Sequence, residues 1–129
     1  MKLIALLLTS MLMLFGCVLE HGRVIQLLLS PQVDRASTLD ALRIVADELG
    51  MVVKGPETGP GGISEYTARF PSKSSTVDFY IGVEAGVQPS IVIRTLNPPT
   101  VDPALPERAF ELFKVELDKR GIKYEVRRN

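Results

Sequence analysis

Three consecutive segments alternate apolar and polar residues with a period of two, and this constrains the fold more than any other feature of the chain. In EYTARF (65–70), Tyr66, Ala68 and Phe70 alternate with Thr67 and Arg69. In TVDFYIGVE (76–84), Val77, Phe79, Ile81 and Val83 alternate with Asp78, Tyr80, Gly82 and Glu84. In SIVIRTL (90–96), Ile91, Ile93 and Thr95 alternate with Val92, Arg94 and Leu96. Successive side chains of a strand point to opposite faces, so one apolar face per strand predicts an antiparallel sheet covered on one side. The connections PSKSS and GVQP are short and rich in turn formers, which predicts a meander.

Two helices supply the cover. In ASTLDALRIVADELGM, Ser37 or Thr38 is placed to cap, and Asp40 lies three residues after Ser37 as in a capping box. Leu39, Leu42, Val45, Ala46 and Leu49 then share one helical face over 37–49. Gly50 provides the left-handed residue that ends the helix, with Met51 placed to pack back on it. A second helix is predicted over 103–120, opened either by Asp102 with Pro103 or by Pro106, with Ala109, Phe110, Phe113 and Leu117 as its stripe. Glu116 and Arg120 are spaced for an i,i+4 pair. Gly121-Ile122 repeats the Gly50-Met51 ending, and each helix exits into a strand, 51–54 and 123–128. VIQLLLS (24–30) reads as a buried strand stopped by Pro31, with a helical turn as the alternative.

These elements predict an α+β two-layer sandwich, two helices on one face of a mostly antiparallel sheet. Their order resembles a ferredoxin-like plan with extra strands, a plan that hosts many functions. Phe79, Ile81, Ile91, Ile93, Leu42, Leu49, Phe110 and Phe113 are the expected core. GPETGPGGISE (55–65) reads as a flexible connection. Its glycines lack the Gly-Lys-Ser/Thr ending and the strand–helix frame of a phosphate-binding loop.

The N-terminus is of another kind. Met1-Lys2 opens it, and Leu3 to Phe15 carry no charge, with Thr9 and Ser10 the only polar residues. Gly16 and Cys17 follow, and Glu20, His21 and Arg23 close the run. A charged start, a short apolar core and a small residue at the break are the pattern of a secretory signal peptide. A membrane-spanning helix needs about 20 apolar residues, more than this run holds. Cys17 is the only cysteine of the chain, so no disulfide can form within it.

Leu14-Phe15-Gly16-Cys17 resembles the lipobox of bacterial lipoproteins. The resemblance implies cleavage between Gly16 and Cys17, a diacylglyceryl thioether on the sulfur, and usually a third acyl chain on the new amine. It covers the first 17 residues only. It divides the chain into a signal peptide (1–16), a lipidated tether (17–23) and one α+β domain (24–129). Two or more acyl chains anchor stably where one does not, so the bilayer is an expected partner through Cys17. Val18 stands where the enterobacterial pattern places aspartate for inner-membrane retention. The expected location therefore faces the periplasm, with the outer membrane favoured over the inner.

Removing 1–16 takes away Lys2 and no other charge, so of 15 basic and 15 acidic residues 14 and 15 remain. That balance offers no basic stripe for nucleic acid. His21 is the sole histidine, which excludes a multi-histidine metal site, and acylation blocks Cys17. Ser72, Lys73, Ser74 and Ser75 crowd one loop but read as a polar turn. Asp47-Glu48 and Glu107/Glu111 read as solvated helix faces. No cofactor or catalytic residue is assigned, and the expectation is a protein that is not an enzyme.

The expected function is a membrane-anchored, non-catalytic binding or assembly module of the envelope. A small ligand-handling protein or hydrolase using carboxylate or Ser/Lys groups is one alternative. A lipoprotein inhibitor or immunity protein is another. If the apolar positions of the meander face the helices, then Thr67, Arg69, Asp78, Tyr80, Glu84, Val92, Arg94 and Leu96 face away. Tyrosine and arginine are enriched at binding hot spots, so Arg69, Tyr80 and Arg94 are the candidate contacts for a protein partner. An ordinary solvated sheet face is the competing reading.

Overall fold

The structure, a computed structural model, describes residues 22–56, 64–71, 78–84 and 88–129. Its elements run β1 (Arg23–Leu29), α1 (Arg35–Leu49), β2 (Val52–Lys54), β3 (Ser64–Arg69), β4 (Phe79–Glu84), β5 (Ser90–Thr95), a 3₁₀ turn (Pro98–Thr100), α2 (Leu105–Lys119) and β6 (Tyr124–Arg128). The segment at 24–30 is thus a strand. The six strands form one sheet in the order β2-β3-β4-β5-β1-β6, antiparallel throughout.

The two-layer α+β plan is as expected. β1 and β4 are separated by β5, and β5 and β6 by β1, so two split β-α-β units interleave as in a ferredoxin-like plan. β2 and β3 are the extra strands, added at the β4 edge. The core lies between sheet and helices. Ile25, Leu27 and Leu29 of β1, Phe79 and Ile81 of β4 and Ile91 and Ile93 of β5 meet Leu42, Val45, Phe110, Phe113 and Leu117 there. Leu49 is a correction: it is half-buried and packs against the core from outside, as the last residue of α1, while Met51 beyond Gly50 enters the core. Phe70 is also more exposed than alternation predicts, its ring lying 6.1 Å from that of Phe79.

The helix starts differ from the sequence reading. Asp34, not Ser37 or Thr38, caps α1: its carboxylate accepts from the Ala36 amide at 3.2 Å and from the Ser37 hydroxyl at 3.3 Å. Ser37 and Thr38 lie inside the first turn, because an aspartate three residues earlier offers the free amides a stronger acceptor. α2 starts at Leu105, with Asp102 accepting from the Ala104 amide at 3.0 Å just ahead of it. The C-terminal ends follow expectation. Gly50 (φ 74°) and Gly121 (φ 67°) are left-handed, and the amides of Met51 and Ile122 reach back to Ala46 and Leu117. Glu116 pairs with Arg120 at 3.7 Å.

Candidate functional site

The sheet face opposite the helices is organised in rows by strand register. The first row runs Val52, Arg69, Tyr80, Arg94, Val24, each residue directly paired with the next. The second runs Lys54, Thr67, Gly82, Val92, Gln26, Arg127. The third includes Glu84, Ser90, Leu28 and Glu125. Charge is therefore sorted along the strands. Arg69, Arg94, Lys54 and Arg127 occupy the first two rows, which hold no carboxylate, and Glu84 and Glu125 occupy the third. Asp78 and Leu96 lie at the margin beyond the first row, joined by a 2.7 Å hydrogen bond from the Leu96 amide to the Asp78 carbonyl.

Within the first row the two guanidinium groups approach one ring. The Arg69 guanidinium carbon lies 5.9 Å from the Tyr80 ring centroid and that of Arg94 lies 5.8 Å away. Both are within cation–π range, worth about 0.5–1 kcal/mol each at exposed sites. Three side chains from three strands are thus gathered by register alone, since directly opposed residues have their Cβ atoms about 5 Å apart. Arg69 is exposed, and Tyr80 and Arg94 are half-buried. The Arg94 Nε is buried and finds no acceptor among the described residues.

The rest of this face departs from the expectation of an open surface. Thr67 and Val92 point away from the helices but are buried, as are Ser90 and Leu28. The Tyr80 ring leans along its strand, 3.8 Å from where a Cβ on Gly82 would lie. Val92, between Gly82 and Gln26, is 3% exposed. The accessible apolar groups of this face lie in the first row and its margin, where Val52 and Leu96 are each 49% exposed.

A concavity that the sequence reading missed lies at the other end of the strands. It has a volume of about 490 Å³ and is lined by Val33, Arg35, Leu39, Glu65, Tyr66 and Glu84, among others. Arg35 forms an ion pair with Glu65 there. The two are 30 positions apart and belong to no local pattern. The only cue was Asp34, which as a cap would have placed Arg35 on the helix. A volume of this size is within the usual range for small-molecule sites.

Gly16, Cys17 and His21, and the crowded loop of Ser72, Lys73, Ser74 and Ser75, lie outside the described residues. Among the described residues no three histidine, cysteine or carboxylate groups gather to hold a metal ion, and no helix is long and apolar enough to cross a membrane. Comparison of the chain with protein-family models, with curated proteins and with solved structures finds no match.

Proposed function

We propose that the protein is a bacterial lipoprotein, held by acylated Cys17 on a membrane surface facing the periplasm, and that it acts as a non-catalytic binding or assembly module. By the residue after the cysteine, Val18, the outer membrane is favoured over the inner. The working surface is the first row of the outer sheet face, around Arg69, Tyr80 and Arg94, and the partner is a protein. One observation carries this reading. Two guanidinium groups flank a tyrosine ring on a row without a carboxylate, with exposed aliphatic side chains beside them. Arginine and tyrosine supply planar contact area and donors at little entropic cost. The charge pattern selects a partner segment that presents carboxylates.

The test is capture from envelope membranes after mild crosslinking. Tyr80→Ala combined with Arg94→Glu is expected to lose the captured partner while the chain keeps its thermal transition and its acylated mass. Full retention of the partner by the folded double variant rejects the reading.

The concavity beside Arg35 favours a second reading, a ligand-handling protein. In that case a small molecule that protects Tyr66 and Val83 in amide exchange would be recovered from the native protein, and the first-row variants would leave it bound.

A further inference from the structure

Antiparallel pairing brings particular side chains to the end of the sheet where β1 begins. Arg23 opposes Thr95, Thr95 opposes Phe79, and Val52 opposes Arg69, so Val52, Phe70, Leu96 and Arg23 share that end. Of the five large apolar side chains exposed among the described residues, Val52, Phe70 and Leu96 are three; Ile44 and Val115 lie within the helices. An exposed apolar residue is ordinary alone, but a cluster at one end with basic neighbours marks a contact surface. Strands lie about 4.8 Å apart, so from β2 to β1 this rim spans roughly 19 Å.

The same end is where the chain comes in from Cys17. Gly22 follows Cys17 by five positions, a span of at most about 18 Å when fully extended. Gly22 also lies directly on the rim. A Cβ there would fall 2.4 Å from the Thr95 carbonyl oxygen and 3.3 Å from the Leu96 Cα, so the incoming chain touches backbone beside the exposed Leu96. A lipid anchor on Cys17 therefore keeps Leu96 within reach of the bilayer, a limit that the third row and the concavity by Arg35 do not share.

We propose that the margin of this rim, Leu96 and Phe70 with Arg23, rests on the bilayer and is occupied by lipid headgroups of an anionic leaflet, leaving the Arg69, Tyr80 and Arg94 row to the protein partner. The proposal rests on the reading of Cys17 as a lipid anchor. Charge agrees on the sheet layer: the first two rows of the outer face carry Arg69, Arg94, Lys54 and Arg127, and Asp78 is the one carboxylate at its margin. Basic side chains near the surface are attracted by anionic lipid, and apolar ones enter the headgroup boundary. The helix layer brings Asp47, Glu48 and Asp102 toward the same end. The domain therefore stands on this end of the sheet, tilted so that these carboxylates are raised. The strands then lead away from the membrane, and the concavity lined by Arg35 and Glu65 opens at the distal end.

The experiment uses the full mature chain, purified in its membrane-bound form and reconstituted into vesicles of phosphatidylethanolamine and phosphatidylglycerol without other protein. Intact mass is measured first. Single nitroxide labels are then placed through Leu96→Cys, through Phe70→Cys and, at the distal end, through Gln32→Cys. Collisions with dioxygen and with a water-soluble nickel chelate report lipid and water contact. Leu96 and Phe70 labels shielded from nickel and accessible to dioxygen, with the Gln32 label open to nickel, support the proposal. Two rim positions guard against one label disturbing the fold. Equal nickel access at both ends of an acylated chain overturns the seating and leaves the anchor intact. A mass without acyl chains overturns the anchor reading itself, and the seating with it. Shielding that appears only in native membranes, and not in protein-free vesicles, overturns lipid as the occupant in favour of a protein.

Discussion

Phe110 and Phe113 are three positions apart on α2, yet they do different things. Phe113 is fully enclosed, with no exposed surface. Phe110 is 7% exposed and carries the Arg128 guanidinium 4.8 Å above its ring and the Lys114 ammonium at 5.5 Å. Truncating Phe113 removes a ring from the centre of the core and leaves a cavity, so Phe113→Ala is expected to cost about 3–5 kcal/mol by urea denaturation. Phe110→Ala sits at the core margin, where neighbouring chains can close in, and its cost belongs at or below the lower end of that range. Equal losses at the two positions would contradict this difference. Gly22 is a residue-scale constraint of another sort, with no positive φ but no room for a side chain. Gly22→Ala forces the chain off the Thr95 carbonyl and is expected to weaken the first β1–β5 pairing.

At the scale of elements, the ends of the helices separate what the sequence made legible from what it did not. Gly50 and Gly121 were readable because a left-handed residue after an apolar stripe has one common use. Nothing lies within 4 Å of a Cβ built on either, so Gly50→Ala and Gly121→Ala cost only the left-handed conformation, about 1–2 kcal/mol each. The two losses are expected to add. The start of α1 was misread because Ser37, Thr38 and Asp40 make a plausible box, and only the surrounding chain decides that Asp34 takes the amides. Asp34→Ala should therefore cost about 1 kcal/mol, more than removal of the Ser37 hydroxyl. A larger loss at Ser37→Ala would reverse that assignment.

α2 is tied to β6 by the ion pair of Arg128 with Glu107, whose second contact is 3.3 Å. The Arg128 hydrogen bond holds the Glu107 carboxyl below the ordinary glutamate range and raises Arg128 in turn. A carboxylate lowered in the folded state stabilises above its unfolded value, and that contribution is lost as pH falls through the lowered one. Both side chains are about half exposed, so solvent screening limits the effect to about 1 kcal/mol or less. The stability difference between the wild type and Glu107→Gln is expected to shrink on acidification below the glutamate range. A difference that grows there would contradict this sign.

At the scale of the whole molecule, strand existence was legible but strand order was not. The alternation in 65–96 marks each strand of the meander and which side chains leave the core, and Arg69, Tyr80 and Arg94 were found that way. Nothing local says that β1 enters between β5 and β6, because the Ile25 pairings with Ile93 and Arg128 are long-range contacts. The burial of Val92 and Thr67 was illegible for the same reason. Both stand at positions that the strand's own alternation assigns to the outer face, yet they are 3% and 9% exposed.

Strand order in turn sets where stability resides. β5 and its neighbour β1 are both paired on two sides, and they carry Leu27, Leu29, Ile91 and Ile93, all essentially inaccessible. β2 is a three-residue edge strand paired on one side only, with Val52 half exposed. Opening β2 breaks few hydrogen bonds and exposes little apolar surface, whereas opening β5 exposes the middle of the core. Native-state amide exchange should therefore be slowest in β1 and β5, at rates set by global unfolding, and fastest among the strands in β2. β3 should follow β2 only in part, because Ala68 is enclosed and β3 is paired to β4 along its length. Exchange in β2 as slow as in β5 would mean that the added hairpin shares the cooperative unit of the ferredoxin-like core instead of fraying from its edge.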